Sequence, residues 1–204
     1  MNKLTLSDAL LIGTLLALAA APLRSEEPSA DSLETAFVNG GQITLHLSAG
    51  GHRISKSPDN NIRVRWSVEN ESRRGEVKAR ADVDGSKATI KVNGVGNNFR
   101  TVIEVPAHSD LTVRLTAGEL SIAQIVGNKD IRLRAGDLSV DVGDANGYRH
   151  VKGSIWAGDI DAGPFNVQSG GLFRSIDWTG DGEHELRFHL YAGDVTLHRA
   201  KQED

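Results

Sequence analysis

Cysteine is absent from the 204 residues, which removes disulfides, thiolate nucleophiles and most structural zinc sites at once. Aromatic residues make up only 5% of the chain, so the interior must be built from thin aliphatic layers. No stretch of the mature chain carries a 3.6-residue apolar period, and this excludes a helical fold. Charge of one sign is lacking too. The formal net charge of −4 is mixed along the chain, unlike the concentrated basic patch of a nucleic-acid binder, and no nucleic-acid partner is expected.

Glycine is plentiful, with 22 residues, and much of it is patterned. A four-residue phrase recurs as Ala117-Gly118-Glu119-Leu120, Ala135-Gly136-Asp137-Leu138, Ala157-Gly158-Asp159-Ile160 and Ala192-Gly193-Asp194-Val195. On either side, apolar and polar residues alternate with the period of two that marks a half-buried strand. The phase slips by one position across each phrase: Leu115 and Ala117 precede the first, whereas Leu120 and Ile122 follow it. Both pairs must face the same interior, so a residue between them has to absorb the slip, and glycine has the backbone freedom to do it. Gly118, Gly136, Gly158 and Gly193 are therefore expected as structural corners, with Glu119, Asp137, Asp159 and Asp194 in equivalent places beside them. Ala49-Gly50-Gly51 reads as a weaker fifth corner, and Gly170-Gly171-Leu172-Phe173 as a further candidate.

The corners recur at intervals near twenty residues with one longer gap, the spacing of stacked coils that bury their apolar faces on one another. The expected fold is all-β, a single-domain β-helix or β-solenoid, with a β-sandwich as the alternative. Residues 42–198 form that domain. Residues 1–24 read as a signal peptide or hydrophobic leader, because the apolar run Ala9 to Leu23 is shorter than a membrane-spanning helix needs. Residues 25–41 would be a flexible leader of the mature chain and residues 199–204 a polar tail. Gly143 to Tyr148 and Gly180 to Glu183 are expected as loops thrown out from the stack.

The order of alternating strands, then Ile103-Glu104-Val105-Pro106, Asp110-Leu111-Thr112-Val113 and serial Gly-Asp/Glu-aliphatic corners resembles the bacterial “putative adhesin” family. This is a domain of unknown function also described as an auto-transporter adhesin head-like domain, and the likeness covers about Gln42 to His198. The resemblance implies a β-solenoid in an exported or envelope protein, with no established catalytic residues to carry over. A stress-sensing envelope domain is a further possibility by family analogy alone.

Candidate sites are few. In-register stacking of Glu119, Asp137, Asp159 and Asp194 would make a ladder of carboxylates able to recruit Ca²⁺, but no calcium loop accompanies them. The favoured reading is that each accepts hydrogen bonds from the backbone of its own turn. His184 and His189 lie five apart in an alternating strand, so they point to opposite faces and make no zinc site. No catalytic residue, metal or cofactor is assigned. Trp156 and Tyr191, with Trp178 and Phe173 nearby, could form an aromatic strip for sugar rings; its alternative is that these rings cover gaps between coils.

The reading is an exported, non-enzymatic adhesion or cell-envelope interaction module, periplasmic or at the cell surface, whose partner is an envelope glycan or another envelope protein. Membrane contact would come only through an uncleaved leader. The alternative is a carbohydrate-active enzyme using the corner carboxylates. If the leader is a signal peptide, mass spectrometry of exported protein should find a mature chain beginning at Ala20, since small residues at Ala17 and Ala19 suit cleavage there, with cuts after Ala21, which Pro22 disfavours, or after Ser25 as the alternatives.

Overall fold

The computed structural model describes residues 32–94 and 98–199. The expected signal peptide, residues 25–31 of the expected leader and residues 200–204 of the tail lie outside the described residues. The strands are β1 Ser32–Ala36, β2 Gly41–Leu47, β3 Gly50–Lys56, β4 Asn61–Ser67, β5 Lys78–Asp84, β6 Lys87–Asn93 and β7 Arg100–Val105, followed by β8 Ser109–Ala123, β9 Lys129–Ala135, β10 Leu138–Asp141, β11 Tyr148–Ala162, β12 Val167–Thr179, β13 His184–Ala192 and β14 Val195–His198. There is no α-helix among the described residues, so the all-β expectation holds.

Strand pairing divides the molecule into two layers. In the first, β6, β2, the front half of β8, β9, β13 and the front half of β11 pair side by side, all parallel. In the second, β7, β3, the back half of β8, β10, β14 and the back half of β11 do the same. Because β8 and β11 bend from one layer into the other, the pairings β8–β9–β13–β11–β14–β10–β8 close a ring of six parallel strands. Antiparallel strands finish the two ends: β5 on β6, β4 on β7 with β1 on β4, and β12 along the whole of β11. A closed ring leaves no unpaired strand edge of its own.

The ring closes at the glycine phrases. Gly118, Gly136, Gly158 and Gly193 have φ between +114° and +136°, where a side chain would be strained. They also stand in a column. A Cβ on Gly118 would strike the carbonyl of Gly50, one on Gly136 that of Gly118, one on Gly193 that of Gly136, and one on Gly158 that of Gly193. Backbone hydrogen bonds pass straight through the bend, from Asp137 N to Gly118 O at 3.1 Å and from Gly193 N to Ala157 O at 3.1 Å. The phase slip is thereby resolved: Leu120, Leu138, Ile160 and Val195 are each 1% exposed, and they share the interior with Leu115, Leu133, Ile155 and Leu190.

The spatial order of the strands departs from their order in the chain. β6 and β7 lie outside β2 and β3, and β13 and β14 insert between β9/β10 and β11. Three smaller expectations also change. Ser32–Ala36, expected in a loose leader, pairs with β4, and Phe37 beside it is buried, since the end strand β4 would otherwise expose its edge. The candidate corner at Gly170–Phe173 lies on β12, which runs back along β11 and caps the stack with Gly171 opposite Gly158. Neither expected loop is thrown outward: Ala145 and Tyr148 are buried, and Gly182 N donates to Tyr148 O at 3.2 Å.

Gly136→Ala must move a backbone carbonyl as well as adopt a strained φ, and is expected to cost about 3 kcal/mol or more. Gly75→Ala, at an open position without positive φ, should stay within about 0.5 kcal/mol of the parent. Urea denaturation of the two variants checks both values.

Candidate binding surface

Parallel pairing without stagger brings equivalent residues of neighbouring strands side by side, so the outer face of the first layer is organised in rows. The row before the glycine corner reads Thr116, Arg134, Tyr191, Trp156 and Phe173, from the registers of β8, β9, β13, β11 and β12. The next row outward from the corner reads Lys91, His46, Arg114, Arg132, His189 and Ser154.

Three of the four aromatic residues singled out in the sequence come together here. The Trp156 and Tyr191 rings stack with centroids 4.8 Å apart and planes 6° from parallel, close to the strand spacing itself. Phe173 meets Trp156 at 5.7 Å with planes 87° apart. These rings are 41%, 57% and 71% exposed for Trp156, Tyr191 and Phe173 respectively. Phe173 sits at φ 55°, a left-handed conformation rare for a bulky residue. Trp178 belongs elsewhere: it packs on Phe165 at 4.8 Å, further down the same strand on the opposite parity, and helps to close the end of the interior.

Two of the corner acids, Asp137 and Asp194, serve the neighbouring strand rather than their own turns. Asp194 N donates to Asp137 Oδ1 at 3.0 Å and Asp159 N to Asp194 Oδ1 at 2.9 Å, so these two carboxylates tie each strand to the next. Among the described residues no group of three or more His, Asp or Glu side chains is placed to hold a metal ion. The serine–histidine contacts, Ser139 Oγ to His198 Nε2 at 3.0 Å and Ser154 Oγ to His189 Nδ1 at 2.7 Å, lie on the outer faces of the two layers. No glycine elbow adjoins them to supply an oxyanion site. His184 lies on the inner parity against Tyr148 while His189 points out, so the two histidines stay apart.

Two buried polar groups escaped the sequence reading although their parity marks them. His52 pairs with Leu120 and shares its inner row. It is 3% exposed, donating from Nε2 to Ser48 O at 2.9 Å and accepting the Thr101 hydroxyl on Nδ1 at 2.8 Å, the arrangement of a neutral ring. Lys129 stands between Leu111 and Leu186 and is 1% exposed. Its ammonium donates to Gly127 O at 3.0 Å and to the Tyr148 hydroxyl at 3.1 Å. Burial pulls its pKa down to about 8 against the opposing pull of Asp110 and Asp141, and burial pushes the Tyr148 phenol up to about 12.

No family model matches the chain, and no curated protein matches it. Among solved structures it is similar to a “putative cell adhesion protein” from Clostridium sporogenes ATCC 15579, with TM-score 0.49 and 13% identity over 83% of this chain and 99% of that one. It is also similar to a “putative adhesin” from Parabacteroides distasonis ATCC 8503, with TM-score 0.23 and 12% identity over 81% of this chain and 68% of that one.

Burial holds the His52 pKa below its ordinary 6.5, outweighing the bond to Ser48. Below pH 6.5 the unfolded chain takes up a proton that the folded chain refuses, so stability falls as pH drops through that value. His52→Gln should flatten the pH dependence of urea unfolding between pH 6.5 and 5 by up to one proton.

Proposed function

We propose that this chain is a non-enzymatic β-solenoid that serves as an adhesion or cell-envelope interaction module, exported to the periplasm or the cell surface, with its contact surface on the aromatic row of the first layer. One observation carries the reading: Tyr191, Trp156 and Phe173 form a continuous exposed cluster on the outside of a rigid layer. Soluble chains seldom leave large rings uncovered together unless a partner covers them. Their partner class is a ring-bearing ligand, a glycan of the envelope, since flat apolar faces stack on sugar rings. Corner-linked strand pairs that repeat one register around a shared aliphatic interior support the solenoid part of the reading.

The enzyme alternative draws less support. A glycosidase needs two carboxyls free to act on the glycosidic bond, whereas Asp137 and Asp194 are engaged by the backbone N–H groups of Asp194 and Asp159. Among the described residues the carboxyls whose pKa is shifted, Asp59, Asp177 and Glu185, all move down, held by Arg63, His150 and Arg149 respectively.

On an array of envelope polysaccharides the full chain should bind saturably and release no products. Trp156→Ala with Tyr191→Ala should weaken binding about tenfold or more with an unchanged melting curve. Turnover that disappears on Asp194→Asn or Glu119→Gln would instead assign the chain to the carbohydrate-active enzymes.

A further inference from the structure

We infer that the ligand of this surface is an acidic glycan, its sugar ring set against the free face of Tyr191 and its carboxylate or sulfate groups held by Arg134 and Arg132. The inference rests on the aromatic row being the contact surface, and adds the charge and placement of what binds there.

Ring geometry restricts where a sugar can stack. Trp156 has one face against Tyr191 and the other against Phe173. Tyr191 is stacked on one side only, and its second face looks along the row toward Arg134. A surface groove opens on that side, lined by Tyr191, His189, Arg132, Arg134, Arg114 and Thr116 among others. Its far part runs over the small side chains Thr116 and Ser48.

The groove is cationic and its charge is largely uncommitted. Arg134 makes no ion pair among the described residues, and Arg132 has only a 3.9 Å contact with Asp130. Asp130 is itself held by Arg114 at 3.1 Å. No carboxylate occurs in either row from Lys91 or Ser48 across to Trp156. The acidic residues Glu119, Asp137, Asp194 and Asp159 stand on the other side of the glycine corner, facing the second layer's exterior. Exposed cations so arranged favour an anionic partner. Guanidinium groups hold carboxylate and sulfate oxygens through paired N–H donors. Arg134 and Arg132 lie two residues apart on β9, and Arg114 stands beside Arg132 on the adjacent strand β8, at the strand spacing of about 4.8 Å, so the cations form a patch that meets the acidic groups of one glycan chain.

An anionic membrane is the less favoured partner. The apolar tip that would enter it, Leu172 and Phe173, has Asp159 opposite Gly170 and Asp161 opposite Gln168. Its nearest arginine, Arg174, is turned back onto Gly170 O at 2.6 Å.

Isothermal titration of the full chain with polygalacturonate, neutral dextran and polyglutamate tests the inference, alongside co-sedimentation with phosphatidylglycerol vesicles. Polygalacturonate is expected to bind, more weakly at higher salt, and to lose about tenfold in affinity on Arg134→Ala and again on Tyr191→Ala. Both are exposed positions, and unchanged melting curves would show that folding is intact. Equal binding of dextran would overturn the acidic-ligand inference while leaving the aromatic contact surface standing. Equal binding of polyglutamate, indifferent to Tyr191→Ala, would reduce the surface to a charge trap and overturn it. Vesicle binding lost on Phe173→Ala, without polygalacturonate binding, would replace it with a membrane partner. Binding of none of these, with every glycan on the array also unbound, would remove both readings.

Discussion

The fold depends on a close approach of backbone to backbone. At the corner column, each glycine presents its carbonyl to the space that the next glycine's side chain would fill, so the two layers join only where a residue has no Cβ. That constraint sets the bend of β8 and β11, keeps the hydrogen-bond ladder continuous through the bend, and returns Leu120, Leu138, Ile160 and Val195 to the interior after the phase slip. The aliphatic core contributes more free energy in total, since burial scales with area. It depends on the corners for its alignment, because a one-residue slip in any strand would turn its apolar side chains to water.

Alignment of parallel strands turns single residues into rows, and the rows explain both the interior and the surface. Inside, a row of leucines admits one lysine because Gly127 O and the Tyr148 hydroxyl meet its ammonium. It admits one histidine because Ser48 and Thr101 satisfy both ring nitrogens. Either group left unpaired would cost several times what its bonds contribute. Outside, the same alignment gathers a tyrosine, a tryptophan and a phenylalanine from three strands into one stack, and collects arginines from β8 and β9 beside it.

Much of this was legible in the sequence. The Ala-Gly-acid-aliphatic phrase contains its own phase shift, and the phase shift defines the corner, so the β class and four of the column's glycines followed from local pattern. The ends were not legible, because whether β12 continues the stack or turns back depends on pairing partners far along the chain. Trp178 and Trp156 read alike by composition, yet their different parities on different strands send one inward and one out. His52 and Lys129 were open to the same parity argument, His52 in phase with Ile54 and Lys129 with Ile131. Their polarity drew attention away from their positions.

The exchange of strand order near the C-terminal end bears on how the molecule assembles. β13 and β14 follow β11 and β12 in the chain, yet they sit between β9/β10 and β11, so β11 has no lasting neighbour on that side until they are in place. The strands therefore cannot all be added to the stack in the order in which they follow one another along the chain. Closing the six-strand ring joins parts of the chain that are far apart in sequence, a high contact order that slows folding for a chain of this size.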